Sequence, residues 1–104
     1  MASNLLKGEG EKETRVLRSS LGTLKSRFGV RKIGIFGSVI RCEATSSSDI
    51  DILVDFEEGK ATFRNFMDLI VFLEDLFGRR VDLVTTGGMD PYIRSFIEKE
   101  VVWC

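Results

Sequence analysis

The chain has 104 residues, which fits one small domain, and 43% of them are apolar, enough for a real core but not a large one. Its 15 basic and 16 acidic side chains leave a net charge of -1, so no basic field draws in nucleic acid, which is disfavoured as the main partner. Cys42 and Cys104 fit neither a disulfide framework nor a zinc site, no apolar run reaches a membrane span, and Met1 to Glu11 lacks the apolar stretch of a signal peptide; a soluble protein of the reducing cytoplasm is expected.

Residues 1–12 are polar, contain Gly8 and Gly10, and read as a flexible arm before a single domain over 13–104. Leu17, Leu21, Leu24 and Phe28 then form one apolar stripe at helical spacing, closed by Gly29. Lys32 to Phe36 reads as a short strand ending at Gly37, and residues 38–45 as a short helix or turn. Thr45 and Ser46 to Ser48 make a polar loop. Asp49 to Phe56 is the clearest strand: Ile50, Ile52, Val54 and Phe56 take one face, and Asp49, Asp51, Leu53 and Asp55 the other. A turn at Glu57 to Lys60 leads to a helix over Thr62–Phe77, with Phe66, Leu69, Ile70, Leu73 and Phe77 on one side and Gly78 as cap. Val81 to Thr85 is a third strand, and Gly87-Gly88 breaks the chain. Pro91 opens a last helix with Ile93, Phe96 and Ile97 facing inward, and Val101 to Trp103 ends that helix or forms an edge strand. The expected class is α/β (α+β), with a small mixed β-sheet and helices packed mainly on one face.

The chemistry concentrates in one run. Ten residues separate Gly37-Ser38 from Asp49-Ile-Asp51, and a third carboxylate, Asp82, sits inside the apolar stretch Arg80 to Val84. Asp49 and Asp51 leave the same face of a strand, with Cα atoms about 6–7 Å apart, so both can converge on metal. Oxygen ligands suit Mg²⁺, and paired ions about 3.5–4 Å apart flank an in-line displacement. If the third strand lies beside the second, Asp82 joins that polar face, completes a metal site and orients or deprotonates an attacking hydroxyl. The chain contains no histidine, so a carboxylate is the natural base. Glycine lets a phosphate approach the backbone, so the N–H groups at Gly37 and the Ser38 hydroxyl can hold phosphate oxygens. Arg41 can reach a phosphate or pair with Glu43. Each piece alone is more often a turn or a solvated strand end. Together they place a charge inside an apolar strand, a cost that a bound cation removes.

The run from Ile35 to Phe56, Gly-Ser-x10-Asp-x-Asp at its heart, resembles the signature of the minimal nucleotidyltransferases, or MNT domains, of the DNA polymerase beta superfamily, which also holds kanamycin nucleotidyltransferase. The resemblance covers roughly residues 14–103. It implies the nucleotidyltransferase fold, with Ser38 contacting nucleotide phosphates, Asp49 and Asp51 binding Mg²⁺, and Asp82 as the third carboxylate. It also implies ATP as substrate and, as partner, an all-helical HEPN toxin that receives AMP on a tyrosine. Such relatives usually carry glycine where this chain has Cys42; if the position needs a positive φ, cysteine strains the loop.

Other features have plainer readings. Among the eight phenylalanines, Phe66 and Phe77 are core. Phe63 and Phe72 fall off the main stripe, and core is favoured over a partner face. Arg79 and Arg80 read as solvated cations at a helix end. Trp103 anchors the terminus or belongs to a dimer or partner surface. The leading function is Mg²⁺-dependent transfer of AMP from ATP to a partner protein. The alternative is a non-catalytic, nucleotide-binding antitoxin that acts by occupancy. Transfer to a small molecule such as an aminoglycoside is weaker, because no extra domain supplies an acceptor pocket.

Overall fold

A computed structural model describes residues 11–37, 49–88 and 90–104. Residues 1–10 of the expected 1–12 arm, the 38–45 helix or turn, Ser38, Arg41 and Cys42 lie outside the described residues, and Glu11 and Lys12 are helical rather than part of an arm. The elements in order are α1 (Glu11–Ser19), α2 (Leu21–Phe28), β1 (Val30–Phe36), β2 (Ile50–Phe56), α3 (Phe63–Phe77), β3 (Val81–Thr85), a 3₁₀ turn (Thr86–Gly88), α4 (Pro91–Glu100) and β4 (Val102–Trp103). The expected class holds: the sheet is mixed, with strand order β3-β2-β1-β4. β1 runs antiparallel to β2 and β4, while β2 and β3 run parallel.

One face of the sheet is apolar and covered. Ile33 and Ile35 of β1, Ile50, Ile52, Val54 and Phe56 of β2, and Val81 and Leu83 of β3 bury against Leu17, Leu24, Phe28, Leu69 and Leu73 of α1, α2 and α3. Burying each such side chain stabilises the fold by about 1.5–3 kcal/mol. Phe66, Phe72 and Phe77 pack against this cluster, Phe72 with its ring centroid 5.2 Å from that of Phe28. Polar contacts fix the junctions. Thr62 caps α3 by accepting from the Asn65 N–H. The Asn65 side-chain amide donates to the Phe28 and Lys60 carbonyls at 2.6 and 2.8 Å, which joins the end of α2 to the start of α3. Asp90 caps α4, with Pro91 in its first turn.

Several expectations need correction. The stripe Leu17–Phe28 belongs to two helices, not one. Ser19, Ser20 and Gly22 are poor helix formers, and the helix breaks at Ser20, although its N–H still reaches the Leu17 carbonyl. The last helix does not face inward: Ile93 and Phe96 are 57% and 71% exposed, α4 buries no residue fully, and of the expected trio only Ile97 is half-buried. Phe63 is 80% exposed and outside the core. With Met67 and Val71 it forms an apolar stripe on the outer side of α3, at a spacing of one helical turn. Arg79 is not a solvated cation; its guanidinium pairs with Glu13 at 3.4 Å and ties α1 to the end of α3. Residues 101–103 resolve to the edge strand, with Val102 and Trp103 opposite Ile35 and Gly34.

The opposite face of the sheet carries the polar residues of β2. Leu53 is fully buried there, next to its register partners Gly34 and Val84. The chain from α4 into β4 crosses closely at Gly34: a Cβ on that residue would meet the Val102 carbonyl at 2.7 Å and the Val101 side chain at 2.8 Å.

Candidate active site

The site is built by register. β2 lies between β1 and β3, and Asp51 is opposite Phe36 at the end of β1 and opposite Asp82 on β3. Register partners on parallel strands project to the same side, so Asp51 and Asp82 stand side by side, their backbones about 4.8 Å apart by strand spacing. The Ile50 N–H donates to the Arg80 carbonyl at 3.0 Å and locks this alignment from its first residue. The Glu74 carboxylate accepts from the Val81 N–H at 3.1 Å, which holds the start of β3 to α3. Asp51 is half-buried, while Asp82 and Asp49 are exposed, Asp49 directly before the first residue of β2. Like charges facing each other across strands repel.

Gly37 follows β1 with φ at +79°, a conformation that suits glycine. Its Cα backs onto Asp51: a methyl group there would collide with the carboxylate, 2.9 Å from its carbon. The cradle between the end of β1 and Asp51 therefore exists only because residue 37 has no side chain. The Gly37 N–H donates to Glu100 Oε1 at 2.9 Å. Glu100 was not a sequence candidate. Its one signal is a carboxylate in the last turn of a helix, where the dipole disfavours negative charge.

Asp55 shares the Asp51 face but has a different environment. Arg31 pairs with it at 3.3 Å, and the buried Thr86 hydroxyl donates to it at 3.0 Å. Asp55 thus anchors the turn after β3 with its charge matched. Of the sequence candidates, the structure brings Gly37, Asp51 and Asp82 together and puts Asp49 at the same end of β2; Ser38 and Arg41 fall outside the described residues.

The donors available are hard carboxylate oxygens, the set that suits Mg²⁺. Among the described residues, no three carboxylate, thiol or imidazole groups converge into a ready cage. Asp51 and Asp82 fit a cation that takes its other ligands from water and substrate phosphates, the usual manner of Mg²⁺ at such sites. A concave surface lined by Lys25, Arg27, Lys60 and Arg64 lies at the far end of the sheet, beside Gly29 and Glu57. Val30 pairs with Phe56 there, six residues along the strand from Asp51 opposite Phe36, or roughly 20 Å. It lines no part of the Asp51–Asp82 site.

Comparison with known proteins agrees with this fold. Residues 17–104 match the model of the nucleotidyltransferase domain family. The protein adenylyltransferase MntA of Thermococcus cleftensis is 46% identical over 88 residues, which are 85% of this chain and 88% of that protein. A solved structure of a candidate minimal nucleotidyltransferase superposes with a TM-score of 0.75 at 38% identity, covering 88% of this chain and 92% of that one. A chain in the MntA–HepT toxin–antitoxin crystal structure shares the fold at 18% identity, with a TM-score of 0.63 over 86% of this chain and 68% of that one. The matched length and the identity to relatives place the chain in the nucleotidyltransferase domain family, and the protein is a nucleotidyltransferase.

Proposed function

We propose that the protein transfers AMP from ATP, with Mg²⁺, to a hydroxyl of a partner protein, and that this partner is a HEPN-type toxin which the transfer neutralises in the cytoplasm. The observation that carries the reading is the in-register pair Asp51–Asp82 beside the Gly37 turn. The adenylyltransferase relative and the fold shared with the toxin–antitoxin chain support the direction of transfer and the class of partner. Exposed apolar side chains on α3 and α4, Phe63 and Val71 on one and Tyr92 and Phe96 on the other, suit a protein rather than a small molecule.

The roles follow from position. The Gly37 N–H and the Ser38 hydroxyl hold phosphate oxygens at the end of β1, and Arg41 adds positive charge to them. Asp49, Asp51 and Asp82 hold Mg²⁺, which neutralises the phosphates and favours in-line displacement. Asp82, exposed on its strand, orients the acceptor hydroxyl and takes its proton. The acceptor oxygen bonds to the α-phosphorus as the bond from that phosphorus to the bridging oxygen breaks, and pyrophosphate leaves with the electron pair.

Co-expression with the partner, followed by weighing the partner intact, tests this. Wild-type protein should add mass in steps of one AMP, and Asp82→Ala should add none while still binding the partner. An unmodified but neutralised partner in the presence of wild-type protein would decide for the occupancy reading instead.

A further inference from the structure

α3 has a second apolar face that the fold does not use. Phe63, Met67 and Val71 follow one another at one-turn spacing on its outer side, and all three are exposed. Three large apolar side chains in one line favour a second surface that covers them.

The charges beside this stripe run against the preference of the helix itself. A helix favours acidic side chains at its N-terminus and basic ones at its C-terminus. α3 has no acidic residue in its first turn and no basic residue in its last. Instead Arg64 stands in the first turn and Asp75 in the last, both exposed. Among the described residues, neither side chain is held by a salt bridge or hydrogen bond. They lie eleven positions apart, about 16 Å along the axis and within about 20° of one line.

A second α3 laid antiparallel along the first, with a two-fold axis between Met67 and Val71, resolves the conflict. Met67 of each copy then meets Val71 of the other, and Arg64 of each meets Asp75 of the other. Both contacts form together because the two pairs share a midpoint to within about half a residue. Arg64 and Asp75 also stand on the same flank of the stripe, as a two-fold pairing requires. The surface is thus complementary to itself in charge as well as apolar.

The layers of the fold suit this occupant. The inner side of α3 covers the apolar face of the sheet through Leu69 and Leu73. Pairing through the outer side sets helical layer against helical layer, so the two Asp51–Asp82 faces look away from each other. α4 leads to Val101, whose side chain lies against Gly34 on the Asp51 face, and stays free for the acceptor.

We propose that a second copy of this chain docks antiparallel on the outer face of α3, in a two-fold dimer sealed by Phe63, Met67 and Val71 and held in register by two Arg64–Asp75 contacts. One helix per chain makes a small interface, so the dimer is weak, with a Kd on the order of 100 µM.

Analytical ultracentrifugation over a concentration series up to about 1 mM tests this. Wild type should pass from monomer to dimer. Val71→Glu buries a charge in the seam and should weaken the dimer by more than about 30-fold. Arg64→Asp and Asp75→Arg each set like charges across both contacts and should weaken it about tenfold. An equimolar mixture of those two variants sets opposite charges across both contacts and should recover the wild-type Kd to within about threefold. All three positions are exposed, so the variants should melt with wild type. Phe96→Ser, on α4, should dimerise as wild type does. A wild type that stays monomeric throughout would overturn the inference; if that monomer lost the acceptor protein on Val71→Glu, the stripe would belong to the acceptor instead. A dimer indifferent to Val71→Glu, or one lost in Phe96→Ser, would also overturn it, as would a mixture no tighter than its components.

Discussion

β2 presents Ile50, Ile52, Val54 and Phe56 to the helices, all buried, and presents Asp51, Leu53 and Asp55 to the other face, where only Leu53 is buried. The helix-covered face is apolar and close to self-sufficient. The other face sets Asp51 beside Asp82, while Asp55 farther along β2 is held by Arg31 and Thr86. The contrast shows how so short a strand serves two ends. Alternation lets one set of side chains hold the fold while the other sets two carboxylates side by side. Substitutions on the two faces should therefore separate stability from activity.

The largest loss of stability is expected from the covered face. Ile52→Ala leaves a cavity in the middle of the core and should cost about 2–5 kcal/mol, a large part of the stability of a domain this size. Urea unfolding would show a lower midpoint at unchanged slope; a cost under about 1 kcal/mol would mean that the core tolerates truncation and the division is weaker than drawn.

Gly37→Ala bridges the two faces. The positive φ and the collision with the Asp51 carboxylate should cost about 1–3 kcal/mol and also displace Asp51, so stability and nucleotide binding fall together. Wild-type melting and binding in this variant would refute the cradle.

Asn65→Ala removes the bond to Phe28 that joins α2 to α3 and the bond to Lys60 in the turn before α3, at the far end of the sheet from Asp51. It should cost about 1–2 kcal/mol and leave the transfer rate per folded molecule unchanged, as an unfolding curve and an activity assay on the same sample would show.

The smallest effect concerns Cys104. Burial pushes its thiol up from 9.0 to about 11, against a smaller downward pull from Arg18. The raised value means that the folded state favours the neutral thiol. Its contribution is full below pH 9 and is lost as pH rises from 9 through 11. Melting temperatures of wild type should thus fall more steeply over that interval than those of Cys104→Ser, and identical profiles would remove Cys104 from the account.

Much of this was readable in the chain, for local reasons. β2 was clear because its apolar and polar residues alternate without exception but Leu53, and the ends of α3 were marked by Thr62 and Gly78. Asp82 was placed by its parity between Val81 and Leu83, although its alignment with Asp51 depends on β2 and β3 being parallel neighbours, which no local pattern states. What escaped was set by distant partners. The Arg79–Glu13 pair and the Gly37–Glu100 bond join residues 66 and 63 positions apart. The outward turn of Ile93 and Phe96 could not be told from an inward one by spacing, because a helical stripe says which residues share a face and not what that face meets. The break at Ser20 was signalled by Ser19, Ser20 and Gly22, but the continuous leucine stripe outweighed it, since Leu17 and Leu24 serve the same core from two helices.

The central claim is that the open face, through Asp51 and Asp82, binds metal-loaded nucleotide at no benefit to the fold. Calorimetric titration of ATP with and without Mg²⁺, on wild type, Asp51→Asn and Asp82→Asn, tests it with thermal melting of the same samples. Binding should require Mg²⁺ and weaken by more than about 100-fold in either variant, while melting temperatures hold or rise because two clustered carboxylates no longer repel. Undiminished binding in both variants, or melting temperatures that fall as far as that of Ile52→Ala, would contradict it.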